Sequence, residues 1–242
     1  MPPGEDSTII SPPASKSNSE PRTRLCGLFQ SRLCLVPTWR GWGALLLCAA
    51  LFIVVAGRRL CAFLSPQDSV PGGVLVVEGW VPTYATRAAV EEFRRHPYLG
   101  IYATGEPLEE GNPYIGFGNY ADFTVAKLKE AGAPAAQLHA VPAHPVGKDR
   151  TYTTAATLKK RLEIDGVSTA KINLMSLGPH SRRSRLLYEF AFGPGSRVGV
   201  IAVTDGDFDC AHWWRTSSGV RAVISETIAY GYARFIFRPS GD

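Results

Sequence analysis

Residues Gly41 to Gly57, "GWGALLLCAALFIVVAG", form seventeen consecutive positions without a charge, closed by Arg40 before and Arg58-Arg59 after. No other feature limits the fold as strongly. A membrane-crossing helix needs about twenty apolar residues. Extension through Leu64 supplies them if Arg58 and Arg59 snorkel toward headgroups, and Trp39 and Trp42 suit the interface. A buried core helix of this length should have a polar face, and this run has none. A cleaved signal peptide fits less well, because forty residues precede the run and two arginines follow where a peptidase prefers small side chains. We read residues 41–64 as an uncleaved anchor in a lipid bilayer. Within fifteen residues each flank has two arginines; within twenty there are four before and two after. The wider count puts the N-terminus inside and the remainder outside.

Residues 1–40, rich in Pro, Ser and Arg, read as a disordered tail, and 65–73, "SPQDSVPGG", as a linker. Over 74–238 short β-rich runs alternate with segments of helical spacing. The runs are Val74–Val77, Ile101–Ala103, Leu138–Val141, Ile172–Leu177 and Val198–Val203; helices are expected over 84–96, 118–131, 152–164, 181–192 and 218–236. Such alternation predicts an α/β domain, an open three-layer parallel sheet of about five strands of Rossmann-like type. The last helix has Val220, Val223, Ile224, Ile228, Tyr232, Phe235 and Ile236 at intervals of three and four, which predicts that it packs on the sheet.

The pI of about 9.0 raises the question of nucleic acid. Residues 1–64 hold seven of the 26 basic and three of the 21 acidic residues, leaving 19 against 18 beyond. A nearly neutral domain lacks the basic patch that nucleic-acid binding requires. Four of the five cysteines, Cys26, Cys34, Cys48 and Cys61, lie in the tail and anchor, and only Cys210 lies in the domain. That distribution predicts no disulfide framework and no CxxC metal site, with Cys210 a small buried or half-buried residue.

In an open parallel sheet, ligands bind beyond the carboxyl ends of the strands. The residues there are Glu78-Gly79-Trp80, Thr104-Gly105-Glu106, the 142–151 segment with His144, Asp149, Arg150 and Thr151, then Gly178-Pro179-His180, and Thr204 to Asp207. In "LMSLGPHSRRSRLL" a run ends at Gly178-Pro179 and His180, Arg182, Arg183 and Arg185 follow at the start of a helix, where cations oppose the dipole. An anion there would explain them: a ligand phosphate or carboxylate held by helix amides and guanidinium groups, or nearby acids such as Glu189, Glu106 and those of 205–209. Asp149 or Thr151 is placed to cap the third expected helix, and Arg150 and Thr151 to touch a ligand.

Other matches fail on context. "GFGNYA" has dinucleotide-fingerprint spacing but no preceding strand. "DGDFD" begins like a calcium loop, yet Cys210 and Thr216 stand where Gly and Glu are required. His139 and His144 lack zinc-pair spacing. Trp213 and Trp214 read as packing rather than a stacking platform.

The succession "VLVVEGW", "ATGEP", "DRTYTTAA" and "LGPHSRRSRLL" resembles the YdcF/SanA/ElyC-like proteins, the domain of unknown function 218 family, over about residues 73–236. The resemblance implies a Rossmann-like domain, often tethered by an N-terminal membrane helix. It also implies a place in the bacterial envelope, in peptidoglycan or lipid-carrier metabolism, with S-adenosylmethionine binding in one branch. Gly79, Gly105, Thr151, His180 and Arg183 match the family pattern. Glu78, Glu106, Arg150, Thr153 and Thr154 depart from it, so the resemblance implies a pocket in the same place with altered chemistry. The expectation is a domain on the periplasmic side of the inner membrane that binds or acts on a small anionic metabolite. His180, Glu78 and Asp149 are the acid/base candidates; Gly79, Thr104, Gly105, Arg150, Thr151, Gly178, Arg182 and Arg183 are the ligand-binding ones. A non-catalytic sensor of a nucleotide-like or S-adenosylmethionine-like ligand, or a structural envelope factor, is the alternative. No cofactor, metal or protein partner is specified.

Overall fold

The segment Val74–Glu78 is buried at all five positions, the mark of a central strand. Around it the computed structural model describes residues 37–108, 116–144 and 148–239, with the strand pair Thr23–Arg24 and Phe29–Gln30. The expected disordered tail therefore lies mostly outside the described residues. The chain divides into two units, Met1–Ala50 and Leu51–Asp242. The first contains the two-residue strand pair and the beginning of α1 (Trp39–Leu64).

The second unit is α/β. Strands β1 (Gln67–Asp68), β2 (Val74–Glu78), β3 (Ile101–Gly105), β4 (Leu138–Pro142), β5 (Lys171–Leu177) and β6 (Arg197–Val203) form one sheet in the order β1-β6-β5-β2-β3-β4. Strands β2 to β6 are parallel and β1 runs antiparallel to β6. Helices α2 (Thr83–Arg95), α3 (Tyr120–Glu130), α4 (Arg150–Ile164), α5 (His180–Phe192) and α6 (Ser217–Phe235) follow the five parallel strands in turn. The five expected strands and five expected helices all occur, with ends moved by at most two residues.

Alternation along β2 separates the core into two clusters. Val74 and Val76 join Leu158, Leu162 and Tyr188 of α4 and α5, whereas Leu75 and Val77 join Ala85, Ala89 and Leu128 of α2 and α3. From β2 the chain moves outward through β3 and β4, then returns to the other side of β2 for β5 and β6. The loops after β2 and β5 diverge at this reversal, which opens a crevice at their carboxyl ends.

Three expectations are overturned. The linker 65–73 contains β1. Buried Asn173 of β5 holds the chain beyond it: its side-chain oxygen accepts from Val70 N–H at 2.7 Å and its amide donates to the carbonyls of Val70 and Gly72, both at 2.9 Å. Cys210 is disulfide-bonded to Cys61, 149 positions away in sequence, with Cα atoms 5.6 Å apart. A pairing over that distance has no spacing signature; it forms because the last turn of α1 packs beside the short 3-10 helix Cys210–Arg215. Finally, α6 does not pack its large apolar residues on the sheet. Only Gly219, Val223 and Ala233 are buried, while Val220, Ile224, Ile228, Tyr232, Phe235 and Ile236 are exposed.

Candidate functional site

Glu78, the last residue of β2, is a buried carboxylate, 4% exposed. Two hydroxyls make this tolerable: Ser176 of β5 donates to Oε2 and Ser184 of α5 donates to Oε1 at 2.8 Å. Beyond β5 the chain turns at Gly178, whose φ of 42° favours glycine, and Pro179 leads into α5 with His180 as its first residue.

His180 lies between two carboxylates. Its Nδ1 is 2.8 Å from Glu226 Oε1 and its Nε2 is 3.8 Å from Glu78 Oε1. Arg183 Nη2 is also 2.9 Å from Nδ1, while the same guanidinium donates to both Glu226 oxygens, at 2.8 and 3.1 Å. A bare Nδ1 would set its lone pair against a carboxylate oxygen. We therefore assign the proton to Nδ1, donating to Glu226, which leaves Nε2 for a ligand. Trp80 packs edge-on against the ring, 4.8 Å between centroids. Burial raises the pKa of Glu226, but hydrogen bonds from His180 and Arg183, with their charges, outweigh it and bring it from 4.5 to about 2. Glu226 is thus a fixed anion.

His180, Glu78 and Arg183 open onto a cavity of about 730 Å³ that also takes in Thr104 and Gly105, the start of α4, and the inner face of α6. At α4, Asp149 has φ of 57°, an unusual left-handed conformation for a residue other than glycine, and its side chain makes no capping bond. The expected Asp149 cap is therefore absent. Lys148, Asp149, Arg150, Thr151 and Thr154 face the cavity instead. Arg150 is 3.8 Å from Glu106, whose pKa is raised by burial and pulled back by that guanidinium. Glu106 Oε1 is buried and has no hydrogen-bond partner among the described residues.

Eight of the eleven expected residues line this one space: Glu78, Thr104, Gly105, Asp149, Arg150, Thr151, His180 and Arg183. Gly79, Gly178 and Arg182 do not. A Cβ on Gly79 would lie 2.6 Å from the Thr104 carbonyl oxygen and one on Gly105 2.6 Å from Tyr120 Cβ, so both glycines allow α3 to approach the strand ends. The three arginines have separate partners. Arg183 pairs with Glu226; Arg185 pairs with Asp68 at 2.7 Å and Glu189 at 2.9 Å; Arg182 donates to the Phe63 carbonyl and covers that ring at 4.0 Å. Protein groups thus answer these cations; Lys148 and Arg150 also face the cavity, Arg150 with Glu106 3.8 Å away. Sequence reasoning missed Ser176, Ser184 and Glu226. Glu226 had a signal, as the one charge between Ala222 and Ala233 in an otherwise uncharged helix segment. No family model, curated protein or solved structure matches the chain.

Proposed function

We propose that this chain is a single-pass protein of the bacterial inner membrane whose periplasmic α/β domain binds or acts on an anionic, phosphorylated envelope metabolite or lipid carrier. The strand order and the two-sided core support a three-layer Rossmann-like reading, and with the motif succession they favour the YdcF/SanA/ElyC-like resemblance. The 26-residue α1, about 39 Å long at 1.5 Å per residue, supports the anchor. The Cys61–Cys210 bond supports the outer side, because disulfides persist in oxidising compartments.

The observation that carries the functional reading is the His180–Glu226 pair. One ring nitrogen is held by a fixed carboxylate and the other is open to a cavity large enough for a metabolite. In this role His180 Nε2 takes a proton from, or returns one to, an oxygen of the ligand. Glu78, 3.8 Å away, stabilises the ring while it carries two protons. Lys148, Arg150 and the uncapped amides of α4 hold the anion.

A second reading, a non-catalytic module for an S-adenosylmethionine-like ligand, is favoured by the charge of the cavity wall. Five carboxylates, Glu78, Glu106, Asp149, Asp205 and Glu226, stand against Lys148, Arg150 and Arg183. Thermal unfolding of the full chain in nanodiscs separates the two, with inorganic phosphate, nucleotides, short polyprenyl phosphates and S-adenosylmethionine as probes. A ligand at a hundred times its Kd adds about 2.7 kcal/mol. A shift with the phosphates, lost in Lys148→Ala/Arg150→Ala, supports the first reading. A shift with S-adenosylmethionine alone, and no turnover, supports the second; no shift with any probe removes both.

A further inference from the structure

Helix α6 has an apolar stripe that the fold leaves uncovered, whereas such a face is usually turned to the core. Ile228 is 69% exposed and Phe235 74%, with Val220 and Ile224 also exposed. At about 100° per residue these four fall within an arc of about 80°, and exposed Arg221 and Arg234 stand at its two edges. The helix exposes no acid, since Glu226 faces the cavity. A contiguous apolar stripe of this kind marks a contact surface.

Its neighbours identify the contact. Val223 of α6 packs with Cys61 and Leu64 of α1, and Tyr230 meets the Phe63 ring at 5.8 Å. Trp213 Nε1 donates to the Gly57 carbonyl at 2.9 Å, and the Cys61–Cys210 bond fixes the same junction. Cys61 and Leu64 are fully buried against the domain, so the last turn of α1 stands at the edge of the bilayer, where the headgroup layer adjoins a hydrocarbon core of about 30 Å. A second copy is a poor occupant, because two-fold pairing would bring arginine-edged stripes together without an acid to answer them. An anionic lipid surface answers both the stripe and its arginines.

We propose that α6 is an interfacial helix whose Val220–Ile224–Ile228–Phe235 stripe lies in the headgroup layer of the bilayer that α1 anchors. The inference rests on α1 spanning that bilayer. The opposite side of the same helix, with Ala222, Glu226 and Ala229, is a wall of the cavity, so the site stands one helix diameter from the lipid.

The test uses the full chain with Cys26, Cys34 and Cys48 changed to Ser, in vesicles of three parts phosphatidylcholine to one of phosphatidylglycerol. A bimane label is placed in turn at Ile228→Cys, at Leu47→Cys in the anchor, and at Ile164→Cys, an 82% exposed position at the end of α4. Expected is quenching of the Ile228 label by headgroup-region spin-labelled lipid at least about threefold above that at Ile164, with protection from aqueous iodide. Iodide quenching at Ile228 equal to that at Ile164, with the Leu47 label quenched by lipid, overturns the inference alone. Shielding of Ile228 from both quenchers means a protein occupant and also overturns it. A Leu47 label untouched by lipid spin-labelled deep in the acyl chain removes the anchor and the inference together.

Discussion

Glu226 of α6 accepts from His180 Nδ1 at 2.8 Å across 46 residues of sequence, and the same carboxylate holds Arg183 through both oxygens. One side chain therefore orients the ring and neutralises the cation beside it. Its replacement should affect both.

In Glu226→Gln the charge-assisted bonds to His180 and Arg183 become neutral ones, and stability at pH 7 should fall by about 2 kcal/mol. Urea unfolding checks the loss. Any turnover found with a phosphorylated ligand should fall more than tenfold, because the ring loses its fixed tautomer.

The low pKa of Glu226 also sets an acid limit. With 4.5 as the unfolded value and about 2 in the fold, the unfolded chain binds more protons between these values. The contribution, on the order of 3 kcal/mol, is complete above about pH 4.5 and disappears as pH falls toward 2. Unfolding curves at pH 6, 4 and 3 should show this slope in the native chain and a flatter one in Glu226→Gln. Equal slopes would mean that Glu226 is not held as described.

Asn173→Ala removes the three bonds that pin Val70 and Gly72 and strands buried backbone groups. Destabilisation of about 2–4 kcal/mol is expected. Faster hydrogen exchange at Val70 in the variant would locate the effect.

Gly105→Ala forces a methyl against Tyr120 Cβ and the Ala121 amide. A cost of about 1–3 kcal/mol from overpacking is expected, measured as a drop in Tm with no ligand present. A change in ligand affinity at unchanged Tm would return Gly105 to a contact role.

Reduction of Cys61–Cys210, or Cys61→Ser/Cys210→Ser, opens a loop with 149 residues of separation. Chain-entropy accounting puts the loss at up to about 5 kcal/mol. Thermal unfolding of the full chain with and without reductant measures it.

The parallel strands were legible because their runs are short, β-branched and bounded by turn residues, and periodicity reports such local properties directly. Strand β1 was not, since two exposed residues, Gln67 and Asp68, carry no apolar signal and are held by pairing with Ile201 and Val200. The position of the site followed from strand order, and His180 and Glu78 were visible as residues just past strand ends. Of the arginines' partners only Glu189, four residues from Arg185, was legible as a nearby acid. The others, Glu226, Asp68 and Phe63, lie more than forty residues away, and only the fold brings them in. The α6 pattern misled for a different reason: a spacing of three and four reports an apolar face but not what covers it.

The disulfide has a further consequence. All six strands of the larger sheet lie between Cys61 and Cys210, so that whole sheet is enclosed in a covalent ring that begins at the end of α1. A protease that cuts any one peptide bond within the ring leaves both fragments attached to the anchor. Shedding of the domain then needs two events, a cut and a reduction, and a nicked chain would run as one band until thiol is added.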